Sequence, residues 1–342
     1  MTHYERQAPT RKIMDAADAL LQRGARLREL RRLEKEDEAE RQGMAASNRH
    51  ELVDDASGDQ ENDGESGEDE VILLSSGATL LRYDMYLRHQ KYYDDLKHID
   101  HKFIDFGVVG PGQLIVEQDK TLGKGGLCWD AAFILGEYVV QTIGEWAKAG
   151  ADDNVTRIIE LGSGTGLAGL LVAKAVENVH VTLTDLPALI PLMNRNLSRN
   201  FAEAKILSRD SSVHQRSLEL FIETDLQESM QKAGFNDSKG YAEISVLDWD
   251  NHTAEKRSFD VILGADVVAT LYDPVALAKT IHWLSNMDSI VAISFKERLS
   301  TIHRRFEVEL TRLFASVEVI DPRGTSRNEN PDVRVIVARN KI

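Results

Sequence analysis

One segment in the middle of the chain constrains its fold more than any other. A β-branched run, Ile158-Ile159-Glu160-Leu161, leads into Gly162-Ser163-Gly164-Thr165-Gly166, and a helix-forming run starts at Leu167. Glycines at alternate positions after a strand let a ligand approach the backbone closely, because no side chain stands in the way. The segment therefore predicts a strand, a glycine loop and a helix beside a bound ligand.

Strands and helices alternate along the chain around this loop. We predict strands over residues 156–161, 179–184, 242–247, 259–264, 289–295, 316–320 and 333–338. We predict helices over residues 129–148, 167–176, 188–197, 274–284 and 301–314. Such alternation predicts an α/β fold, a Rossmann-like, seven-stranded and mostly parallel sheet with helices on both faces. The last two strands are joined by a turn-rich loop too short for a helix, so they should form a C-terminal antiparallel hairpin, with one reversed strand at the end of the sheet.

The sequence before residue 129 divides into three parts. Residues 1–42 predict a charged arm, either an amphipathic helix or a disordered segment, and residues 43–70 contain ten acids and one Arg among Gly, Ser and Asn. Residues 43–70 contain too few apolar side chains for burial to offset the loss of chain entropy on folding. We therefore expect this segment to be a flexible acidic linker. Residues 71–128 predict an extension whose β-hairpin, around Gly110-Pro111-Gly112, packs on the edge of the main domain. The main domain spans 129–342 with a polar insertion at 199–241.

The charge and the cysteine content limit the classes of binding partner and the cellular location that we expect. The net charge is −15, from 41 basic and 56 acidic residues. Binding to phosphate backbones needs clustered Lys and Arg, so this balance argues against nucleic acid. The sequence contains no apolar run long enough for a membrane span or signal peptide, and its single cysteine, Cys128, cannot form an internal disulfide. We expect a cytoplasmic protein, with the nucleus as the alternative location.

Two acids beside the glycine loop indicate the kind of ligand. Glu160 lies at the tip of the strand and suits a positively charged amino group, and Asp185 ends the next strand, 23 residues after Gly162. A carboxylate there can accept hydrogen bonds from both hydroxyls of a ribose. Gly164, Gly166 and Gly169 also match the spacing of dinucleotide-binding loops, but Glu160 would repel a pyrophosphate. S-adenosylmethionine, with its ribose, sulfonium and amino-acid tail, fits the acids better than a nicotinamide cofactor does.

Two later strand ends add candidate residues. Leu247-Asp248-Trp249 follows the third strand of the sheet, where an indole can meet a purine. Gly264-Ala265-Asp266 ends the strand expected beside the glycine-loop strand. In open α/β sheets, ligands bind in the crevice at the carboxyl ends of the strands. Ala265 is small enough for a cofactor to lie against it, and we predict that Asp266 faces the reacting end.

These segments together resemble a known family. The Glu160–Gly166 loop, Asp185, the Leu247-Asp248-Trp249 element and Gly264-Ala265-Asp266-Val267-Val268 look like those of class I seven-β-strand methyltransferases. More narrowly, the chain resembles the methyltransferase-like 21 (methyltransferase family 16) protein-lysine methyltransferases. Cys128-Trp129-Asp130-Ala131-Ala132 resembles the tryptophan-led helix of that branch, and Phe295-Lys296-Glu297-Arg298 resembles its segment after the fifth strand. The resemblance covers about residues 99–340.

The resemblance implies a function and a set of site residues. It implies S-adenosylmethionine-dependent methylation of a lysine on a non-histone protein, such as an elongation factor, a chaperone or an ATPase. The implied cofactor contacts, beside Glu160, are Trp129, Gly162, Ser163, Gly164, Asp185, Trp249 and Ala265, and no metal is expected. Asp266 is the candidate catalytic residue, holding and orienting the target amine. Methylation of a small molecule or nucleic acid, or a cofactor-binding interaction module without catalysis, are the alternatives.

The chain departs from the family pattern at one position. The family has Tyr or Phe three residues after the acid of the fourth strand, whereas this chain has Ala269 three residues after Asp266. An aromatic ring that helps to line the channel for the target amine is therefore absent from its usual place. We expect Tyr272, three residues further on, to be the substitute.

Overall fold

The computed structural model describes nine stretches of the chain. They are residues 71–74, 76–90, 95–110, 112–146, 155–201, 240–249, 258–269, 272–297 and 300–342. The predicted arm over 1–42, the acidic linker over 43–70 and most of the polar insertion over 199–241 lie outside the described residues. Within these stretches no helix is both long and apolar enough to cross a membrane.

The described residues form eleven strands and six α-helices, numbered here in chain order. The strands are β1 (Val71–Leu73), β2 (Thr79–Arg82), β3 (Phe103–Val109), β4 (Gly112–Glu117), β5 (Thr156–Leu161), β6 (Val179–Asp185), β7 (Tyr241–Val246), β8 (Phe259–Ala265), β9 (Ser285–Lys296), β10 (Phe314–Ile320) and β11 (Val333–Lys341). The helices are α1 (Tyr83–Arg88), α2 (Asp130–Trp146), α3 (Leu167–Ala175), α4 (Ile190–Asn200), α5 (Pro274–Leu284) and α6 (Ser300–Leu313). Every strand and helix predicted after residue 128 is present.

The main sheet has seven strands in the order β10-β11-β9-β8-β5-β6-β7. Strands β5 to β9 pair in parallel, and β11 is antiparallel to both β9 and β10. The predicted antiparallel hairpin is therefore confirmed, but the prediction that the reversed strand lies at the end of the sheet is wrong. The chain returns from β10 and inserts β11 beside β9, so β11 pairs on both sides and β10 is the edge strand.

Helices cover both faces of this sheet, as the alternation predicted. Successive strand residues point to opposite faces, and successive residues of β5 accordingly join two different apolar clusters. Ile158 belongs to the cluster that includes α2, α3 and α4, whereas Ile159 belongs to the cluster that includes α5 and α6. Both side chains are almost completely buried. This two-sided burial accounts for the near-continuous apolar sequence of the central strands.

The N-terminal extension forms a separate four-stranded sheet in the order β1-β2-β3-β4. The predicted hairpin, β3 with β4, is confirmed, and β1 and β2 add two strands that the sequence did not indicate. Strand β4 packs on α4 of the main domain, a contact that the sequence did not specify. The Ile115 amide donates to Asn200 Oδ1 at 3.0 Å, and the Glu117 amide donates to Asn196 Oδ1 at 2.7 Å.

A buried ion pair strengthens the contact between β4 and α4. Arg199 Nη2 lies 3.0 Å from Glu117 Oε2, and both side chains are more than nine-tenths buried. Because Arg199 and Asn200 hold β4, α4 continues to Asn200, three residues beyond the predicted end at Leu197. The extension is thus fastened to the helix that follows Asp185, the predicted ribose ligand.

Candidate active site

The glycine loop leaves β5 in a conformation that only glycine adopts without strain. Gly162, Gly164 and Gly166 have φ angles of 63°, 55° and 82°, all in the left-handed region. A Cβ atom at Gly162 would lie 3.2 Å from the Trp249 ring, and one at Gly164 would lie 2.6 Å from the Gly125 carbonyl oxygen. The loop therefore forms a cradle between the Trp249 ring and the Gly125 backbone.

Asp185 lies at the carboxyl end of β6, directly against this cradle. Its Oδ2 accepts a hydrogen bond from the Gly164 amide at 2.8 Å, and its Oδ1 accepts one from the Leu186 amide at 2.7 Å. Burial raises the pKa of the Asp185 carboxyl above its ordinary value, although these two bonds oppose the shift. The structure thus holds the predicted ribose ligand in one orientation beside the loop.

Glu160 and Ser163 face the interior of the fold at the base of the loop. Glu160 is 1% exposed, and its Oε2 accepts a hydrogen bond from the Gly169 amide at 3.0 Å. Ser163 Oγ donates to the Glu160 carbonyl at 3.2 Å and accepts from the Thr184 amide at 3.0 Å. Both side chains brace the loop against α3 and β6, and their roles as cofactor ligands stay predictions.

Glu160 should make stability depend on pH. Burial raises the pKa of its carboxyl to about 8, so the folded protein holds this proton more tightly than the unfolded chain does. The resulting stabilisation is complete below about pH 4.5 and is lost as the pH rises through about 8. We expect Glu160→Gln, which stays neutral and keeps an acceptor for Gly169, to remove about 2–4 kcal/mol of this pH dependence. Thermal melts from pH 5 to pH 9 measure the effect, and melting curves that fall in parallel for both proteins would contradict it.

Trp129 connects two segments that precede it in the chain. Its Nε1 donates to the Lys124 carbonyl at 3.1 Å, and the Lys97 ammonium lies 5.2 Å from the centroid of its ring. The first contact holds the short helical segment Lys120–Gly126, whose Gly125 is the second wall of the glycine-loop cradle. Sequence reasoning missed this wall, and its only sequence signal is the glycine-rich run Gly123-Lys124-Gly125-Gly126.

Asp130, the first residue of α2, fixes the direction of this helix. The carboxylate accepts hydrogen bonds from the Tyr86 hydroxyl at 2.8 Å and from the side-chain amides of Asn328 and Asn330 at 2.9 and 3.3 Å. Burial, together with the charge of Asp95, raises its pKa to about 6. The carboxylate thereby joins the extension and the β10–β11 loop to the start of α2, next to Trp129.

Trp249 and Tyr272 form an aromatic pair on the other side of the cradle. Their ring centroids lie 5.1 Å apart with an interplanar angle of 62°, an edge-to-face arrangement. Burial raises the pKa of the Tyr272 hydroxyl, and the charge of Asp185 adds to the shift. Tyr272 therefore lies with two predicted cofactor residues, and the idea that it replaces the aromatic absent at Ala269 stays a prediction.

Ala265 is the last residue of β8, which pairs directly with β5, and Asp266 follows it. Asp266 has a φ of 53°, and its amide donates to the Ser294 carbonyl at 2.8 Å. Its Oδ1 accepts from the Lys296 amide at 3.2 Å. Ser294 Oγ in turn donates to the Ala131 carbonyl at 2.7 Å, which brings the start of α2 close to Asp266. The structure therefore gathers the predicted catalytic acid and the tryptophan-led helix at one edge of the sheet.

A second acid, Asp95, lies near this edge and was not among the predicted residues. Its side chain is 1% exposed, and its Oδ2 lies 3.7 Å from Lys296 Nζ and 3.6 Å from Lys97 Nζ. Asp95 belongs to no recognisable sequence motif. It lies in the extension, and only the fold brings it close to Lys296, which is far away in the sequence.

These residues fit S-adenosylmethionine. The glycine loop approaches Trp249 and the Gly125 backbone this closely only because its glycines lack Cβ atoms. Asp185 places a carboxylate against the loop and near the Tyr272 ring. Hydroxyls, a purine and cationic groups match carboxylates and ring faces better than a pyrophosphate does. Within the described ranges, no group of three or more His, Cys, Asp or Glu side chains is placed to hold a metal ion.

The part of the chain that contains these residues is similar to known lysine methyltransferases. The lysine methyltransferase family model, methyltransferase family 16, matches residues 110–232. The chain is 29% identical over 202 residues to protein N-lysine methyltransferase METTL21A of Danio rerio, covering 58% of this chain and 73% of that protein. It is 25% identical over 218 residues to EEF1A lysine methyltransferase 3 of Xenopus tropicalis, covering 63% and 75%.

A yeast relative shows similarity over a shorter segment. Protein-lysine N-methyltransferase EFM6 of Saccharomyces cerevisiae is 30% identical over 123 residues, covering 33% of this chain and 50% of that protein. The sheet order, the glycine-loop cradle and these similarities lead to one conclusion. The chain resembles class I S-adenosylmethionine-dependent methyltransferases and, among them, the methyltransferase-like 21 protein-lysine methyltransferases.

Proposed function

We propose that this protein transfers a methyl group from S-adenosylmethionine to a lysine side chain of a non-histone protein. The observation that carries the proposal is the lysine methyltransferase family match at residues 110–232, which includes Trp129, the glycine loop and Asp185. All three similar proteins described above are named as lysine methyltransferases. The fold brings these residues to the same sheet edge as Asp266, where an acceptor would meet the cofactor.

Methyl transfer asks the protein mainly to position the reacting groups. Bound S-adenosylmethionine supplies an activated methyl group on a sulfonium, and the transfer is an in-line displacement. The acceptor lysine must first lose a proton, which costs about 4 kcal/mol near pH 7.4 from a reference pKa of about 10.4. A site that excludes water lowers this cost, because burial disfavours the ammonium form.

Different residues of this chain would bind the cofactor and orient the acceptor amine. The glycine loop and Asp185 would hold the cofactor at the carboxyl ends of β5 and β6, with the rings of Trp249 and Tyr272 beside it. Asp266 would accept a hydrogen bond from the incoming nitrogen and orient it toward the methyl group. Its own position is fixed by the bonds to the backbone of Ser294 and Lys296.

The proposal also names candidate substrate proteins. One relative is named for EEF1A, so translation elongation factor 1A is the first protein to test. A chaperone and an ATPase are the other classes that the resemblance implies. The expected cytoplasmic location is compatible with all three and stays a prediction.

Tritiated-methyl labelling tests the proposed function. The purified full-length chain is incubated with labelled S-adenosylmethionine and a cell lysate from the source organism. We expect one or a few discrete protein bands, and mass spectrometry should place the methyl group on lysine. The Asp185→Ala variant is the control and should label nothing above background.

Other outcomes would overturn the lysine assignment. Label in nuclease-sensitive material or in small molecules would support methylation of those acceptors instead. The segment Ala265-Asp266-Val267-Val268 stands where many amino-methylating nucleic-acid enzymes have Asn-Pro-Pro-Tyr, which argues against that outcome. Cofactor binding with no label in any fraction would indicate an interaction module without catalysis.

A further inference from the structure

Two asparagines of α4 pair with the backbone of β4 in the same way. Asn196 Oδ1 accepts from the Glu117 amide at 2.7 Å, and its Nδ2 donates to the Glu117 carbonyl at 3.0 Å. One helical turn later, Asn200 Oδ1 accepts from the Ile115 amide at 3.0 Å, and its Nδ2 donates to the Ile115 carbonyl at 2.7 Å. Each side-chain amide thus bonds to β4 as the peptide group of a neighbouring strand would.

The second hydrogen bond of each Nδ2 distinguishes the two asparagines. Asn200 Nδ2 donates to the Asn196 carbonyl at 2.8 Å, which is a contact within α4. Asn196 Nδ2 donates instead to the Thr165 carbonyl of the glycine loop at 3.0 Å. Both side chains are completely buried, so water does not compete for these bonds. The Asn196 amide therefore joins the extension directly to the glycine loop.

The Thr165 carbonyl needs this donor because of its place in the fold. It lies two residues before α3, where the Gly169 amide would donate to it if the helix began earlier. That amide donates to Glu160 Oε2 at 3.0 Å instead, and Asn196 supplies a donor in its place. A buried carbonyl that loses its donor is costly, so the conformation of the loop depends on Asn196.

Strand β4 also leads directly into the second wall of the cradle. It ends at Glu117, and the segment Lys120–Gly126, which contains Gly125, begins three residues later. A Cβ atom at Gly164 would lie 2.6 Å from the Gly125 carbonyl oxygen, so the two walls approach each other as closely as glycine allows. With one side-chain amide, Asn196 holds the glycine loop and the strand that carries the opposite wall.

We propose that Asn196 is a positioning residue that couples S-adenosylmethionine binding to docking of the N-terminal extension. The inference rests on the proposed function, which supplies the ligand of the cradle. Ordering the Asn196 amide serves its contacts to Thr165 and to Glu117 alike. Once either contact is fixed, the other costs less conformational entropy. By linkage, a docked extension should raise the affinity for the cofactor by the same factor by which the cofactor strengthens docking.

Hydrogen exchange on the purified full-length wild-type chain tests this coupling without a substitution. The probe is S-adenosylhomocysteine, which carries no methyl group to transfer. The reporter is the β4 peptide, residues 112–117, because the Glu117 amide donates to Asn196 and the peptide ends before the cradle wall at Lys120–Gly126. We expect exchange in this peptide to slow by about fivefold or more when S-adenosylhomocysteine saturates the site.

Asn196→Ala and Asn200→Ala are the matched variants. Each removes one side-chain amide that holds β4, so we expect both to lower the melting temperature. Asn196→Ala also removes the donor to Thr165, so its dissociation constant for S-adenosylhomocysteine should rise about tenfold in calorimetry, and the ligand should no longer slow exchange in β4. Asn200→Ala should bind within about twofold of the wild type and keep the slowing.

Two results would overturn the inference. One is an exchange rate in β4 that S-adenosylhomocysteine leaves unchanged in the wild type, and the other is an equal loss of affinity in Asn196→Ala and Asn200→Ala. In either case the proposed function stands, provided that the wild type binds S-adenosylhomocysteine. If the wild type does not bind it, the cofactor of the proposed function is wrong and this inference fails with it. If Asn196→Ala does not fold, the wild-type exchange result alone decides.

Discussion

Replacing Asp185 by Ala is expected to abolish measurable binding of S-adenosylmethionine. The carboxylate is the only predicted acceptor for both ribose hydroxyls, and charge-assisted hydrogen bonds contribute about 1.5–3 kcal/mol each. Losing two of them should lower affinity by about 10²–10⁴-fold. The substitution also removes the acceptor for the Gly164 amide at 2.8 Å, so the glycine loop loses one of its supports.

Calorimetry and the thermal shift on adding S-adenosylmethionine or S-adenosylhomocysteine measure this effect. Asp260→Ala is the matched control, because Asp260 Oδ2 also accepts from a backbone amide, that of Arg157 at 2.9 Å, but at the opposite edge of the sheet. We expect both variants to melt somewhat earlier and only Asp185→Ala to lose the ligand-induced shift. A wild-type shift in Asp185→Ala would show that Asp185 is not the ribose ligand. Stabilisation of the wild type by a nicotinamide cofactor would contradict the choice of cofactor.

Replacing Asp266 by Ala should separate catalysis from cofactor binding. We expect the methylation rate to fall by about 100-fold, or about 2.7 kcal/mol of barrier, because the amine loses the group that orients it. Affinity for S-adenosylmethionine should stay within a few-fold, since Ala265 rather than Asp266 is the predicted cofactor contact. The substrate for this measurement is the protein identified by labelling.

The backbone of Asp266 requires a second variant as control. Its φ of 53° is unfavourable for Ala by about 1–2 kcal/mol, whereas Asn tolerates this region. Asp266→Asn therefore keeps the conformation and an acceptor for the Lys296 amide but removes the charge. If Asp266→Asn is fully active and Asp266→Ala is slow, conformation rather than charge accounts for the loss. Equal losses of rate and cofactor affinity would make Asp266 a cofactor ligand or a structural cap, and full activity of Asp266→Ala would contradict the mechanism.

Local sequence pattern was sufficient to predict the strands and helices of the main sheet and its covering layers. The β-branched run before Gly162 and the helix-forming run after Gly166 specify a strand and a helix whatever lies around them, because buried parallel strands need continuous apolar sequence. Asp185 and Asp266 could be placed at one edge of the sheet because parallel strands end together there. The glycines at alternate positions after β5 predicted a loop that needs glycine, and the left-handed φ angles of Gly162 and Gly164 agree with that prediction.

The sequence did not predict how the extension joins this domain. Asn196, Asn200 and Arg199 look like the polar residues of a solvated helix, yet they are buried against β4. Nothing in a helical pattern tells whether a polar face meets water or the exposed backbone of another segment. The hairpin was therefore predicted correctly, but its packing partner, α4, was not specified by the sequence.

The sequence by itself determined the order of strands and helices, the glycine loop and the acids at the strand ends, since these depend on residues that are neighbours in the chain. Only the tertiary structure decided that β11 lies between β9 and β10, that Gly125 walls the cradle, and that Asp95 meets Lys97 and Lys296. Contacts of this second kind join residues that are far apart in sequence. They arise from burying whole surfaces against one another, and no short pattern encodes which surfaces will meet.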